Sequence, residues 1–192
     1  MPDLALIGFV FFGLFSPGPN VILLTASGAR FGVRATVPHI LGVALGVGIT
    51  AAVTGFGVGV VLQAAPVLTI ALKIAACAWI LLMANRLWHA RPADVDDSDR
   101  PFTLVEAILF QWVNPKVWAV ALSATAYIAD EPPLVQAQIL SVTFASLNLA
   151  VCTFWTFAGH LLSRLLQTPA LWQVFMRIMA VALIVFSVLV FL

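Results

Sequence analysis

The stretch FGLFSPGPNVILLT, Phe12 to Thr25, sets Pro17, Gly18 and Pro19 inside an otherwise apolar run. A proline has no backbone N–H and its ring clashes with the preceding turn, so a helix through Phe12 and Leu24 must break between them. In a soluble protein such a break is simply a loop. The composition argues against water as the solvent: 62% of the 192 residues are hydrophobic and only 9% are charged, against about 25% charged in soluble domains. Too few charges are present to cover a wet surface, whereas a bilayer needs none. The break therefore falls within a membrane span, where a stranded backbone group costs several kcal/mol and is tolerated only against protein or a polar cavity.

Hydropathy divides the chain into six predicted spans, at about 4–28, 37–62, 66–88, 102–128, 134–161 and 170–192, each near the ~20 residues that cross ~30 Å of hydrocarbon. The start, MPDLALIGFVFF, carries Asp3 and no Lys or Arg, unlike the basic start of a signal peptide, so a retained first span is expected. One link is polar and turn-rich: HARPADVDDSDRP, His89 to Pro101. It joins halves of about 1–88 and 102–192 within a single transmembrane domain, 1–192. Arg30, Arg34, Arg86, Arg91, Arg100 and Arg164 all flank links on one side of a six-span bundle, while QAAP and DEPP on the other side contain no Lys or Arg. Excess Lys and Arg marks the cytoplasmic side. The loop 89–101 is therefore expected in the cytoplasm and both termini outside. Trp88, Tyr127 and Trp172 fall near span ends, as interfacial aromatics do, and Lys73 and Arg177 are placed to snorkel.

Several functions are argued against. The net charge is +1 with no basic run, which gives nucleic acid nothing to bind. Cys77 and Cys152 lie in apolar stretches and read as buried thiols; there is no zinc spacing, phosphate loop or catalytic triad. Ser16, Ser123 and Cys77 have no intramembrane His or Asp at helical spacing, so catalytic residues are not expected.

The second half of the chain echoes the first. WVNPKVW, Trp112 to Trp118, breaks the fourth span, and Pro19 and Pro115 are separated by half the chain length. Three spans per half is an odd number, so the second half enters the membrane from the opposite side. Paired inverted halves with broken leading helices are a transporter design. Such breaks free N–H groups from Asn20 onward to face a carboxylate, and carbonyls at Leu14 to Ser16 to face an ammonium, with Gly18 allowing close approach. The expected binding set is Ser16, Pro17, Gly18, Pro19, Asn20, Gln111, Asn114, Pro115, Lys116 and Asn148. Lys116, too deep to reach either interface, reads as a partner for a cargo carboxylate or as a switch that pairs with helix-end carbonyls. Gln111 and Asn114 share one helix face. Asn148, mid-way along the fifth span, needs a partner, either across helices or at a freed carbonyl. Glu106 is the carboxylate inside a span and the proton-coupling candidate, or else a partner for Arg86, Arg91 or Arg100. Gly42 with Gly46, and Gly55 with Gly59, have the spacing of close helix packing. Thr50 and Thr54 are expected to bond their own i−4 carbonyls. His39, His89 and His160 are expected at the cytoplasmic boundary in contact with water.

SPGPN in the first span, GVALGVG at Gly42 to Gly48, Leu72-Lys73 and VNPKVW together resemble the LysE/RhtB family over essentially the whole chain. That resemblance implies a small bacterial inner-membrane exporter of amino acids or related metabolites, a secondary transporter drawing on the proton motive force and needing no bound cofactor. Val47 stands where many members carry an acidic residue, AACAWIL (Ala75 to Leu81) replaces a Tyr-rich stretch, and Ala107 replaces a glycine ahead of NPK. The expectation is an all-α polytopic protein with six transmembrane helices in two inverted halves, working on a small-molecule cargo in the lipid bilayer. A small channel or a non-transporting membrane partner is the alternative, and a homo-oligomer is left open.

Overall fold

Asp3 begins the first helix. Its side chain accepts from the Ala5 N–H at 3.4 Å, and α1 runs Leu4–Phe15 until the prolines stop it. After extended residues the chain resumes as α2, Pro19–Gly55, followed by α3 (Pro66–Trp88), α4 (Leu104–Val113), α5 (Pro115–Ala124), a 3-10 turn (Thr125–Ile128), α6 (Pro133–Ser163) and α7 (Pro169–Leu189). Five of these helices begin on proline, which suits a first position because its missing N–H has no intrahelical acceptor there anyway. This computed structural model describes residues 3–58, 65–90, 100–166 and 168–189. The end of the second predicted span with Gly59, the first half of the QAAP link, Arg91 with most of the 89–101 loop, and the last residues of the sixth span lie outside the described residues.

All regular structure among the described residues is helical. Helices α2, α3, α6 and α7 are long and apolar enough to cross a membrane, while α1 and α4 are shorter apolar helices. The sequence separates a first span ending near 28 from a second beginning near 37; in the structure two helical stretches do meet there, joined without a loop, so that α2 counts 37 residues in all. Straight, it would reach about 55 Å. It is folded back on itself at Gly32, whose φ of 76° and ψ of 170° are open to glycine alone. Ser27 Oγ lies 3.1 Å from Thr36 Oγ1, and both Asn20 and Gly46 sit against Gln111. Helix α2 is thus two antiparallel arms, residues 19–31 and 33–55, joined by a one-residue hinge where a loop was expected.

Small residues decide how the arms pack. In the second arm, Gly42 and Gly46 lie against Leu104, Ala107 and Ile108 of α4, while Gly48 and Gly55 lie against Ala145 and Ala137 of α6. One glycine-rich segment therefore serves two neighbours. Thr50 and Thr54 bond the Gly46 and Thr50 carbonyls at 3.0 and 2.9 Å, as expected. The first arm crosses α6 at a reciprocal contact. A methyl group on Gly28 would run into the carbonyl of Thr156, and one on Gly159 into the carbonyl of Thr25, each 2.8 Å from the carbonyl carbon. Backbone touches backbone there, the closest approach helices can make.

Two apolar clusters result. Leu6, Val10, Val47 and Phe144 fill the space among α1, the second arm and α6. Ile22, Ile80, Met176 and Leu183 join the first arm to α3 and α7. Cys77 and Cys152 are buried free thiols. Arg177 reaches over the Trp88 ring, 5.2 Å from its centroid, in the manner of a snorkelling side chain. Trp172 stands in the first turn of α7, near a span end as expected, and is buried in the second cluster.

Candidate functional site

The two broken helices run antiparallel and meet break to break. Gly13 lies against Val120, Gly18 against Lys116, and Asn20 bonds Gln111. Helix α1 has 12 residues, so the first break lies about 18 Å from the start of that helix, near half-way across a bilayer core.

Asn114 forms the second break. Its backbone is extended (φ −82°, ψ 102°), and it ends α4 and begins α5 at once. Its Oδ1 accepts from the Lys116 N–H at 3.2 Å and its Nδ2 donates to Gln111 Oε1 at 3.4 Å. Pro115 follows at the first helical position. Gln111 is fully buried and paired with Asn20 in both directions: Asn20 Nδ2 donates to Oε1 at 2.8 Å and Gln111 Nε2 donates to Oδ1 at 3.2 Å. This reciprocal amide pair ties the two broken helices together.

Lys116 makes the second tie. Its Nζ donates to the carbonyl oxygens of Ser16 and, at 3.2 Å, Pro17. In an unbroken helix those two carbonyls would accept from the N–H groups of Asn20 and Val21, four residues on. Here α2 begins at Pro19 and its first backbone bond runs from Ile22 N–H to Gly18 O at 3.0 Å. The prolines have released two acceptors, which the lysine takes, and left two donors at a helix start. Gly18 is extended, a conformation open to any residue, and its role is steric: a Cβ there would lie 2.6 Å from Lys116 Cδ and 2.9 Å from Nζ. The Ser16 hydroxyl turns back to Gly13 O at 2.9 Å, so Ser16 meets Lys116 through its backbone alone.

Asn148 adjoins this group. It is buried, its Nδ2 has no partner among the described residues, and it lines, with Leu14, Asn20, Asn114 and Lys116, a cavity of about 10 Å³. That is space for about one water. All ten expected binding residues therefore gather at one place.

Glu106 stands apart from them, in the first turn of α4. Its carboxylate takes Arg100 on both oxygens at 2.7 and 2.8 Å and accepts the Thr103 N–H at 2.8 Å, while Thr103 Oγ1 caps the helix in return. This is a capping box with an added ion pair. His39 corrects another expectation. It is buried, 2% exposed, with its ring 4.9 Å from that of Phe102, instead of lying in water. The signal was present in the sequence: His39, Gly42 and Gly46 recur at three and four residues, the face that packs on α4.

Substituting Gln111 with leucine is expected to leave the Asn20 amide without its partner, at a cost of about 1–3 kcal/mol. A double variant, Asn20→Leu with Gln111→Leu, should recover much of that stability. Thermal unfolding midpoints in detergent measure both.

Two helices broken at facing points, tied by buried amides and a lysine inside an apolar helical chain, define a multi-pass membrane protein organised around a polar centre. The family model of the LysE type translocator matches residues 11–192, and the chain belongs to that family. It is therefore a membrane transporter, from a family in which amino acid export is typical and which is not a family of enzymes. No curated protein and no solved structure matches the chain significantly.

Proposed function

We propose that this protein exports an amino acid or a closely related metabolite from the bacterial cytoplasm by alternating access, with six spans in two inverted halves of one domain rocking about the paired breaks. The observation that carries this reading is Lys116 on the Ser16 and Pro17 carbonyls. In this state the lysine occupies the acceptors that a cargo ammonium would use, and the space beside the breaks is too small for cargo. A zwitterion entering from one side exchanges partners with the protein. Its ammonium takes the released carbonyls, and its carboxylate takes Lys116 Nζ with the helix-start donors of Asn20 and Val21. Every charge keeps a partner throughout the exchange, so none is stranded at bilayer depth. The basic links favour the orientation: Gly32 lies near His160, and Arg30, Arg86 and Arg100 line one cavity, which puts the ends of three links on one face.

The test is counterflow in liposomes containing the purified protein, with a panel of labelled amino acids. Saturable exchange supports the transporter, whereas unsaturating flux with single-channel currents replaces it with a channel. Coupling to the proton motive force, with Glu106 as its residue, requires the carboxylate to leave Arg100 before it can take a proton. In the Glu106→Gln variant, export that no longer responds to a pH gradient assigns the coupling to this residue. A retained response with a lower unfolding midpoint leaves Glu106 to the capping box alone.

A further inference from the structure

We propose that α1 is a gate, hinged at Ser16 to Gly18 and latched by Lys116, that moves ahead of the other helices while the second break stays fixed. This rests on the export reading above and adds to it which of the two broken helices opens.

The second break is clamped on both sides. In an unbroken helix the Trp112 carbonyl would accept from the Lys116 N–H, four residues on, but that donor goes to Asn114 Oδ1. The Trp118 indole takes its place, with Nε1 donating to Trp112 O at 2.9 Å. This bond runs from α5 back to α4 across the break, and the two indole rings lie 6.2 Å apart beside it. Trp112 is exposed and Asn114 is buried. One clamp therefore faces outward, and the other, from Asn114 to Gln111, faces the core. An acceptor left bare in hydrocarbon costs several kcal/mol, which keeps the outer clamp shut.

The first break has no such clamp. Ser16 Oγ bonds Gly13 O, on its own side of the gap. Among the described residues, the hydrogen bonds that reach Ser16 and Pro17 from another helix are those of Lys116. Helix α1 buries one stripe, Leu6, Val10 and Leu14, while Leu4 and Phe12 are exposed. Its other contacts are between rings, Phe9 with Tyr127 and Phe15 with Phe154 and Trp155. Lipid tails are as apolar as these side chains, so such a stripe can exchange protein for lipid at little cost. The first arm of α2 cannot follow, because it crosses α6 backbone to backbone at Gly28 and Gly159. Loss of the Lys116 bonds thus frees α1 before any other helix. A cargo carboxylate that draws Nζ away unlatches it. Helix α1 then uncovers the half of the pathway beyond the breaks, which is the outer half in the orientation proposed above.

The test is a lock. A Cβ on Gly13 would lie 3.7 Å from that of Val120 on α5, within the ~3.5–4.5 Å that a disulfide spans. The full chain, with Cys77 and Cys152 replaced by alanine, carries Gly13→Cys and Val120→Cys in liposomes. Oxidation of the pair should remove at least nine-tenths of counterflow and a reductant should restore it, while each single cysteine ignores the oxidant. A locked pair that exchanges as fast as the reduced one overturns the gate. A second measurement needs no transport: the rate at which a water-soluble maleimide labels Val120→Cys in detergent. Lys116→Met should raise that rate at least tenfold, and an unchanged rate overturns the latch. Ile108→Cys, on α4 against Gly46, should label at one slow rate with or without Lys116. An equal rise there means general loosening and also overturns the proposal. If the reduced pair and the parent both lack counterflow, the export reading fails and the labelling decides the gate by itself.

Discussion

Lys116→Met is expected to abolish counterflow while the protein remains in the membrane at its normal level. The ammonium makes two charge-assisted bonds to backbone oxygens, each contributing about 1.5–3 kcal/mol where the acceptor would otherwise be stranded. At ~1.4 kcal/mol per tenfold, removing both costs on the order of 100-fold or more. Insertion should not suffer, since a charge at bilayer depth itself costs about 2.5–3.5 kcal/mol and methionine removes it. Asn114→Ala should also abolish export. It deletes the cap that starts α5 and the bond to Gln111, with a stability cost of only about 1 kcal/mol. Normal exchange by both variants, at matched protein levels, would remove the breaks from the mechanism.

The largest structural effect is expected at the crossing of the first arm and α6. A methyl group on Gly28 or Gly159 meets a carbonyl belonging to rigid helix backbone. Core overpacking typically costs about 1–3 kcal/mol when side chains can shift. Here two helices must separate, so Gly28→Ala and Gly159→Ala should each exceed that range and leave little folded protein in the membrane. Gly8 provides the control, as a methyl group there meets nothing within 4 Å, and Gly8→Ala should behave as the parent. Size-exclusion profiles of extracted protein, with unfolding midpoints, separate the three. A parent-like midpoint for Gly159→Ala would mean that the helices do not cross this closely.

Both crossing glycines belong to a Thr-x-x-Gly unit, Thr25 to Gly28 and Thr156 to Gly159, and their equivalence emerges only when the two helices are side by side. Local chemistry was easier to read. Pro17, Pro19 and Pro115 announce their breaks because proline acts on its own turn, and the matched spacing of those breaks pointed to one meeting place. The Lys116 side chain could have gone to cargo or to carbonyls, and choosing between them required knowing which atoms lie 100 residues away. Gly32 sits among arginines in a stretch that resembles an ordinary link, and nothing local distinguishes a hinge from a loop. His39 was misplaced for a related reason. Proximity to a span end suggested water, yet its helical face, set by Gly42 and Gly46, turned it inward.

A carrier that works beside an energised membrane must not dissipate the gradient it lives on. With its ammonium anchored where the two gaps meet, Lys116 fills the polar seam that the proline breaks open, and an ammonium there repels passing cations. On the export reading proposed above, an idle copy is electrically tight, and conduction of protons or metal ions through this seam would require the same displacement that cargo itself must bring about.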